Sequence, residues 1–263
     1  MKKKVLIIAK TEPSVSTKYG STVCTAGITD KGEFIRLYPI QFRLFCDDES
    51  NFSKYDWIEV DCDRNDSDTR SESYKADSDS IRCIGHVGTD HNWSERNKIL
   101  LPHCSKNFKE LEDNGASLGL IKPSEIFGFD KDTKADGPIA KPVLSHRKVL
   151  QMIFNKDGST KNIPQIEGID RYYRYNFKCD DDDTVHRIMC EDWELYQSSR
   201  SWLERYGTEE EVWNKIREKY YDQFTEDRDL YFFVGTHHIW KTWIIIGLYY
   251  PPRMLSKGQQ TLM

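Results

Sequence analysis

No stretch of this 263-residue sequence is apolar for long enough to cross a bilayer as a helix. The longest apolar runs are Val5–Ala9, Leu230–Val234 and Trp243–Tyr250, and a spanning helix needs roughly 18 residues. Paired CxxC motifs are also missing, and the seven cysteines are an odd number scattered between Cys24 and Cys190. That pattern does not fit a secreted disulfide framework, so a soluble, cytoplasmic protein with reduced thiols is expected. The opening Lys2-Lys3-Lys4 and the five apolar residues after it are too short for a signal peptide and read as a first strand. An excess of positive charge is lacking too. With 38 basic against 43 acidic residues the net charge is −5, which argues against coating nucleic acid through bulk charge but leaves room for a local basic face. GxxxxGK[ST], GxGxxG, GxSxG and HExxH are all absent, which disfavours P-loop hydrolysis, dinucleotide binding, α/β-hydrolase chemistry and zincin proteolysis.

What is present reads as α+β. Residues 1–90 are expected to form a small β-barrel-like domain. The run Val5–Ala9 suits a strand buried on both faces. Thr22–Ile28 and Glu33–Tyr38 flank the turn Thr29-Asp30-Lys31-Gly32, Pro39 is expected to end the second of these, and Tyr55–Cys62 and Ile81–Val87 add further strands. Residues 63–80 hold almost no apolar side chains and are expected to form a loop. Across Asp47–Asp79 twelve acids face only four bases, an edge nucleic acid should avoid. Residues 91–140 read as a helical, irregular connection inserted after the barrel, with Ser117–Pro123 an ordered link and Asp130–Gly137 a polar linker. Residues 141–263 read as a hairpin–helix–helix–hairpin domain. Tyr172–Cys179 and Val185–Cys190 form the first hairpin. Asp192 caps one helix, Gly207 stops it, and Thr208 with Glu211 starts the next as a capping box.

The most suggestive segment is Arg171-Tyr172-Tyr173-Arg174-Tyr175-Asn176-Phe177-Lys178, with three bases, four aromatics and no acid. Basic grooves with aromatic platforms grip single-stranded nucleic acid. Strand alternation, however, places Tyr173, Tyr175, Phe177 and Cys179 on one face, most simply a core face. Arg174 and Lys178, with Tyr172, remain as a surface strip. In the first block Arg36 shares a strand face with Phe34 and Tyr38, a place for planar recognition of phosphate or carboxylate. The stretches Ala26-Gly27-Ile28 and Arg36-Leu37-Tyr38-Pro39 are loosely similar to small nucleic-acid-binding barrels over about a third of the chain, without a diagnostic motif.

The leading expectation is therefore a nucleic-acid-associated protein, binding DNA or RNA through Arg36, Tyr38, Tyr172, Arg174 and Lys178. A second is a metal-assisted hydrolase, such as a nuclease, with His186, Asp192 and Glu194 as catalytic groups. Cys179 and His186 beside the hairpin turn invite a divalent metal such as zinc, although Cys190 lies roughly 13 Å further along the strand at the usual rise. A third reading is a scaffold that binds another protein. The aspartates Asp180–Asp183 lack the glycine of a calcium loop and read as a solvated turn, and His237-His238 reads as a loop pair.

Overall fold

The computed structural model describes residues 1–16, 20–41, 52–133, 152–154, 160–162, 171–238 and 240–253. Its first half is a closed five-stranded barrel. Strands β1 (Lys2–Lys10), β3 (Gly20–Thr29), β4 (Phe34–Gln41), β6 (Ser73–Ala76) and β5 (Asp56–Arg64) pair in that order, and β5 returns to β1. Short strand β2 (Ser14–Ser16) adds to β3, and β7 (Arg82–His86) adds to β5. Every barrel pairing is antiparallel except β4 with β6.

Two expectations change here. The strand carrying Arg36 does not stop at Pro39. Val23 pairs with Ile40 and Thr25 with Leu37, so Tyr38 and Pro39 together face only Cys24. Proline sits in that bulge, where no ladder donor is needed. The polar stretch expected as a loop supplies β6, the strand that completes the barrel. Backbone pairing needs no apolar side chains, and the nearby turn is held by an inward polar contact: Asp68 takes a double hydrogen bond from Arg70, whose guanidinium also reaches Thr236 O at 2.5 Å.

A second sheet has the order β10 (Glu125–Thr133), β13 (Arg171–Cys179), β14 (Asp182–Cys190), β16 (Trp243–Tyr249), β15 (Tyr231–Thr236), β9 (Leu118–Ile121), β8 (Cys104–Ser105). The segment expected as an ordered link is thus strand β9, and part of the expected polar linker extends β10. The rest of that linker lies outside the described residues. A separate small hairpin joins β11 (Met152–Phe154) and β12 (Thr160–Asn162). The expected hairpin–helix–helix–hairpin order holds. Helix α3 (Trp193–Tyr206) follows β14, and α4 (Glu209–Arg217) continues through a π turn at Glu218–Gln223 before β15. Helix α1 (Asp90–Leu100) lies between β7 and β8 in sequence, and α2 (Phe108–Asp113) between β8 and β9. Among the described residues no helix is long and apolar enough to cross a membrane.

Three layers result. Inside the barrel lie Val5, Ile7, Ile35, Leu37, Ile58 and Val60. The outward residues of β1 and β3, Leu6, Ile8, Ala26 and Ile28, pack onto Leu118, Leu120, Phe233, Ile244 and Ile246 of the second sheet. The sheet's other face, with Tyr173, Tyr175, Phe177, Phe232 and Val234, packs on Val212, Ile216 and Tyr220 of the helices. Strand β1 is buried on both faces because it serves two cores, which is why its sequence is continuously apolar.

The two sheets meet closely at one glycine. A Cβ built on Gly247 would stand 2.8 Å from Ala9 Cβ, closer than side chains tolerate, so Gly247→Ala is expected to force the barrel off the sheet. Overpacking of this kind costs about 1–3 kcal/mol, measurable as a lowered urea midpoint with an unchanged slope.

Candidate functional site

The residues expected to carry function are placed in very different surroundings. Arg36 is buried, with Nη1 donating to Ser73 Oγ at 3.2 Å and Ser117 Oγ at 3.1 Å, and Nη2 to Ser117 O at 2.9 Å. It ties the barrel to the residue before β9 and meets no solvent. Tyr172 is also buried, and Tyr38 is half-buried. The expected surface strip is electrically answered: Arg174 pairs with Asp132, Arg187 reaches Asp130 and Asp132 at 3.1 and 2.9 Å, and Lys178 stands opposite Glu125. The partners come from β10, whose pairing with β13 the sequence reading did not include.

The metal and hydrolase groups are not brought together. Cys179 pairs in register with Asp182 while His186 faces Phe177. Burial pushes the Cys179 thiol up to about 12. His186 Nε2 lies 2.9 Å from Asp182 Oδ2, walled by Phe108 and Phe177. Four residues of extended strand, roughly 13 Å, separate His186 from Cys190, and Asp192 lies beyond that end. Among the described residues no three His, Cys, Asp or Glu side chains group as a metal would need.

Asp192 and Glu194 instead join a cluster that only the fold assembles, at the end of the contact between barrel and sheet. Asp192 caps α3 as expected, its Oδ1 accepting from Glu194 N at 2.8 Å and Leu195 N at 3.2 Å. Its Oδ2 accepts from Leu248 N at 2.9 Å and faces Lys54 Nζ at 3.4 Å. Lys54 also donates to Leu248 O at 2.6 Å and lies 3.5 Å from Glu194. Burial pulls the Lys54 ammonium down, but Glu194, Tyr55 and Asp192 outweigh it and hold it above its ordinary range. Nearby Lys10 goes the other way. Burial lowers it from 10.5 to about 8, against the pull of Asp56 and Glu194 and with help from Lys54.

Beside these lies an aromatic and cationic group. The Arg96 guanidinium stacks 3.6 Å from the Tyr55 ring and 4.9 Å from Trp93. Trp93 in turn meets Tyr249 at 5.7 Å and Tyr250 at 5.3 Å. Arg96 Nε donates to Val87 O at 2.8 Å, and its Nη2 lies 3.5 Å from His86 Nε2. Because a guanidinium only donates, His86 Nε2 must accept, which leaves the proton on Nδ1, 2.5 Å from Asp56 Oδ1. Arg96 is buried, yet no carboxylate pairs with it among the described residues. The Tyr55 hydroxyl is buried without a hydrogen-bond partner.

The backbone under this group is strained. Tyr55 has φ 70°, and three successive residues, His91, Asn92 and Trp93, have φ 50°, 56° and 65°. The left-handed region costs about 1–2 kcal/mol per non-glycine residue, and such strain clusters at functional sites. A left-handed turn at the start of α1 is what brings Trp93 edge-on to Tyr55, with ring centroids 6.4 Å apart. Lys10, Lys54, Tyr55, Asp56, His86, Trp93 and Arg96 are not among the residues expected from sequence. The one local signal was mixed charge and ring character in Lys54-Tyr55-Asp56-Trp57 and Trp93-Ser94-Glu95-Arg96. Elsewhere a cavity of about 350 Å³ opens between barrel and β9, lined by Lys3, Glu33, Glu72 and Tyr74 among others. One of its acids, half-buried Glu72, already binds Ser117 N and Oγ at 2.7 and 2.8 Å.

Asp192→Ala is expected to cost about 3–5 kcal/mol, because it takes away the buried partner of Lys54 and leaves it only the exposed Glu194, as well as removing the cap. Asp192→Asn keeps a capping oxygen and should lose about 1 kcal/mol less, both read by urea denaturation. The Lys10 amine should titrate near 8 in lysine side-chain NMR. Between that value and 10.5 the unfolded chain binds more protons at this residue than the folded one, so Lys10 adds stability as pH rises through that window. Wild type should therefore gain stability over Lys10→Gln there.

Residues 1–102 match the family model described as "Domain of unknown function (DUF8758)", and residues 103–263 match "Domain of unknown function (DUF8757)". No curated protein matches the chain. The cluster draws Lys54, Tyr55, His86, Trp93 and Arg96 from the first matched segment and Asp192, Glu194, Tyr249 and Tyr250 from the second. The second match covers more than half of the sequence, and the chain belongs to the family described as a domain of unknown function, DUF8757.

Proposed function

We propose that this is a nucleic-acid-associated protein that holds a strand at the junction of its barrel and its second sheet. The observation that carries the reading is Arg96: a buried guanidinium stacked on Tyr55 and Trp93 with no carboxylate partner among the described residues. A stacked arginine without an ion pair is suited to a phosphate oxygen, and half-buried Trp93, with the face of Tyr250 that Phe224 leaves uncovered, would take bases. Lys10 adds positive charge at neutral pH on the same side. The acidic barrel edge around Asp61–Asp79 would keep the strand on this face rather than spread around the barrel. Arg174 and Lys178 are the remaining surface members of the contact set read from sequence, and they form a second arm of the test. Metal-assisted hydrolysis at His186, Asp192 and Glu194 gains no support from their separation.

The test is binding of labelled single- and double-stranded DNA and RNA to the full chain across a salt series. Single strands should bind, with affinity falling steeply as salt rises. Trp93→Ala and Arg96→Ala should each weaken binding by about ten-fold or more, given about 1–3 kcal/mol per stacked base. Arg174→Ala with Lys178→Ala should do less. Absence of binding at low salt, or binding indifferent to Trp93 and Arg96, overturns the proposal.

A further inference from the structure

Among the described residues two histidines pair with an aspartate, and the pairs are built differently. In the first, His186 is tied through Nε2 to Asp182 and enclosed by Phe108 and Phe177, with its side chain 15% exposed. In the second, His86 is tied through Nδ1 to Asp56 at 2.5 Å, and its side chain is 51% exposed. Asp56 is itself fixed by Ser53 N, which donates to its other oxygen at 2.6 Å. The free Nε2 of His86 is turned to the Arg96 guanidinium at 3.5 Å. An imidazole oriented from behind by a carboxylate, with its lone pair facing a cation and solvent, is the arrangement of a general base. The cation, 3.5 Å from that nitrogen, sits where a negatively charged reacting group would be held.

This set supplies a base and a positive charge, and it needs a nucleophile. RNA carries one of its own, the 2′-hydroxyl beside each phosphodiester, already positioned for attack so that no external water has to be activated. We infer that the His86–Asp56–Arg96 group cleaves RNA by internal transesterification, an inference that rests on the nucleic-acid reading above and names its substrate class. The 2′-hydroxyl gives its proton to His86 Nε2 as its oxygen bonds to phosphorus. The bond from phosphorus to the 5′-oxygen breaks, and the departing oxygen takes a proton from solvent at the open side of His86. The products are a 2′,3′-cyclic phosphate and a free 5′-hydroxyl, and His86 returns its proton to water. Arg96 binds the non-bridging oxygens and carries the charge that develops on them, replacing its long contact with His86 by a bridge through the phosphate. Asp56 is a positioning residue that holds the tautomer. His86 and Arg96 are the catalytic residues.

The experiment uses the full chain, a labelled RNA oligonucleotide and its 2′-O-methyl counterpart, in buffer with a metal chelator. The RNA should be cut to fragments ending in 2′,3′-cyclic phosphate, and the 2′-O-methyl strand should bind uncut. His86→Ala, checked for an unchanged melting temperature, should lose about 100-fold or more in rate and recover part of it with added imidazole, which a purely structural loss would not allow. Asp56→Asn should lower kcat about ten-fold or more with KM unchanged, as a lost tautomer does. Binding of the 2′-O-methyl strand without cleavage of RNA overturns this inference and leaves the binding proposal standing. Cleavage that persists in His86→Ala overturns it as well. Failure of both strands to bind removes both proposals.

Discussion

Asp192 uses each of its two carboxylate oxygens to fasten a different part of the molecule. One caps α3, satisfying first-turn amides that have no partner within the helix. The other takes Leu248 N from the central strand β16 and faces Lys54, which arrives from the barrel just before β5. A helix start, a sheet and a barrel are thereby fixed at one buried point. The backbone joins them there too, since Thr11 bridges to Asp192 and Glu12 N donates to Glu191 O at 2.9 Å. The position of Tyr55, next in sequence to Lys54, follows from this, and with it the placement of Arg96, Trp93 and His86 around that ring. The ion pair is weak evidence for net stability, because removing two charges from water is costly. Its value lies in geometry: it sets where the cluster forms.

The architecture was largely readable where side-chain periodicity reported burial. Tyr173, Tyr175, Phe177 and Cys179 alternate inward as the strand pattern requires, and Val212, Ile216, Tyr220 and Phe224 line the inner face of the last helix. Caps at Asp192 and Thr208 and the left-handed stop at Gly207, with φ 80°, were readable because they depend on a few adjacent residues. Strands β6 and β9 were not. The first is held by backbone pairing in a polar segment, and the second is a four-residue strand whose antiparallel partner, β15, lies more than a hundred residues away.

The candidate site was illegible for the same reason in sharper form. Its members come from the strand end at Lys10, the turn at Lys54–Asp56, the end of β7, the start of α1 and the far end of β16. No spacing rule links such positions, and the turn that aims Trp93 uses backbone angles unusual for His, Asn and Trp. The basic-aromatic strand Arg171–Lys178 drew attention because its chemistry is contiguous. In the fold, that contiguity is shared between a core face and a face answered by Asp130 and Asp132.

Strand β9 bears on how the chain reaches this state. Leu118 to Ile121 pair with Phe232 to Gly235, so the strand lies between β8 and a partner made more than a hundred residues later. On a ribosome the barrel strands emerge before those of the second sheet and find one another across at most about sixty residues of chain. The outward face of that barrel, Leu6, Ile8, Ala26 and Ile28, then stays uncovered until the last hairpin appears. The completed barrel is in effect a template waiting for a lid of sheet, and a nascent chain passes through an interval in which its most apolar strand is half dressed. That interval is where a chaperone or a premature association with another chain would act.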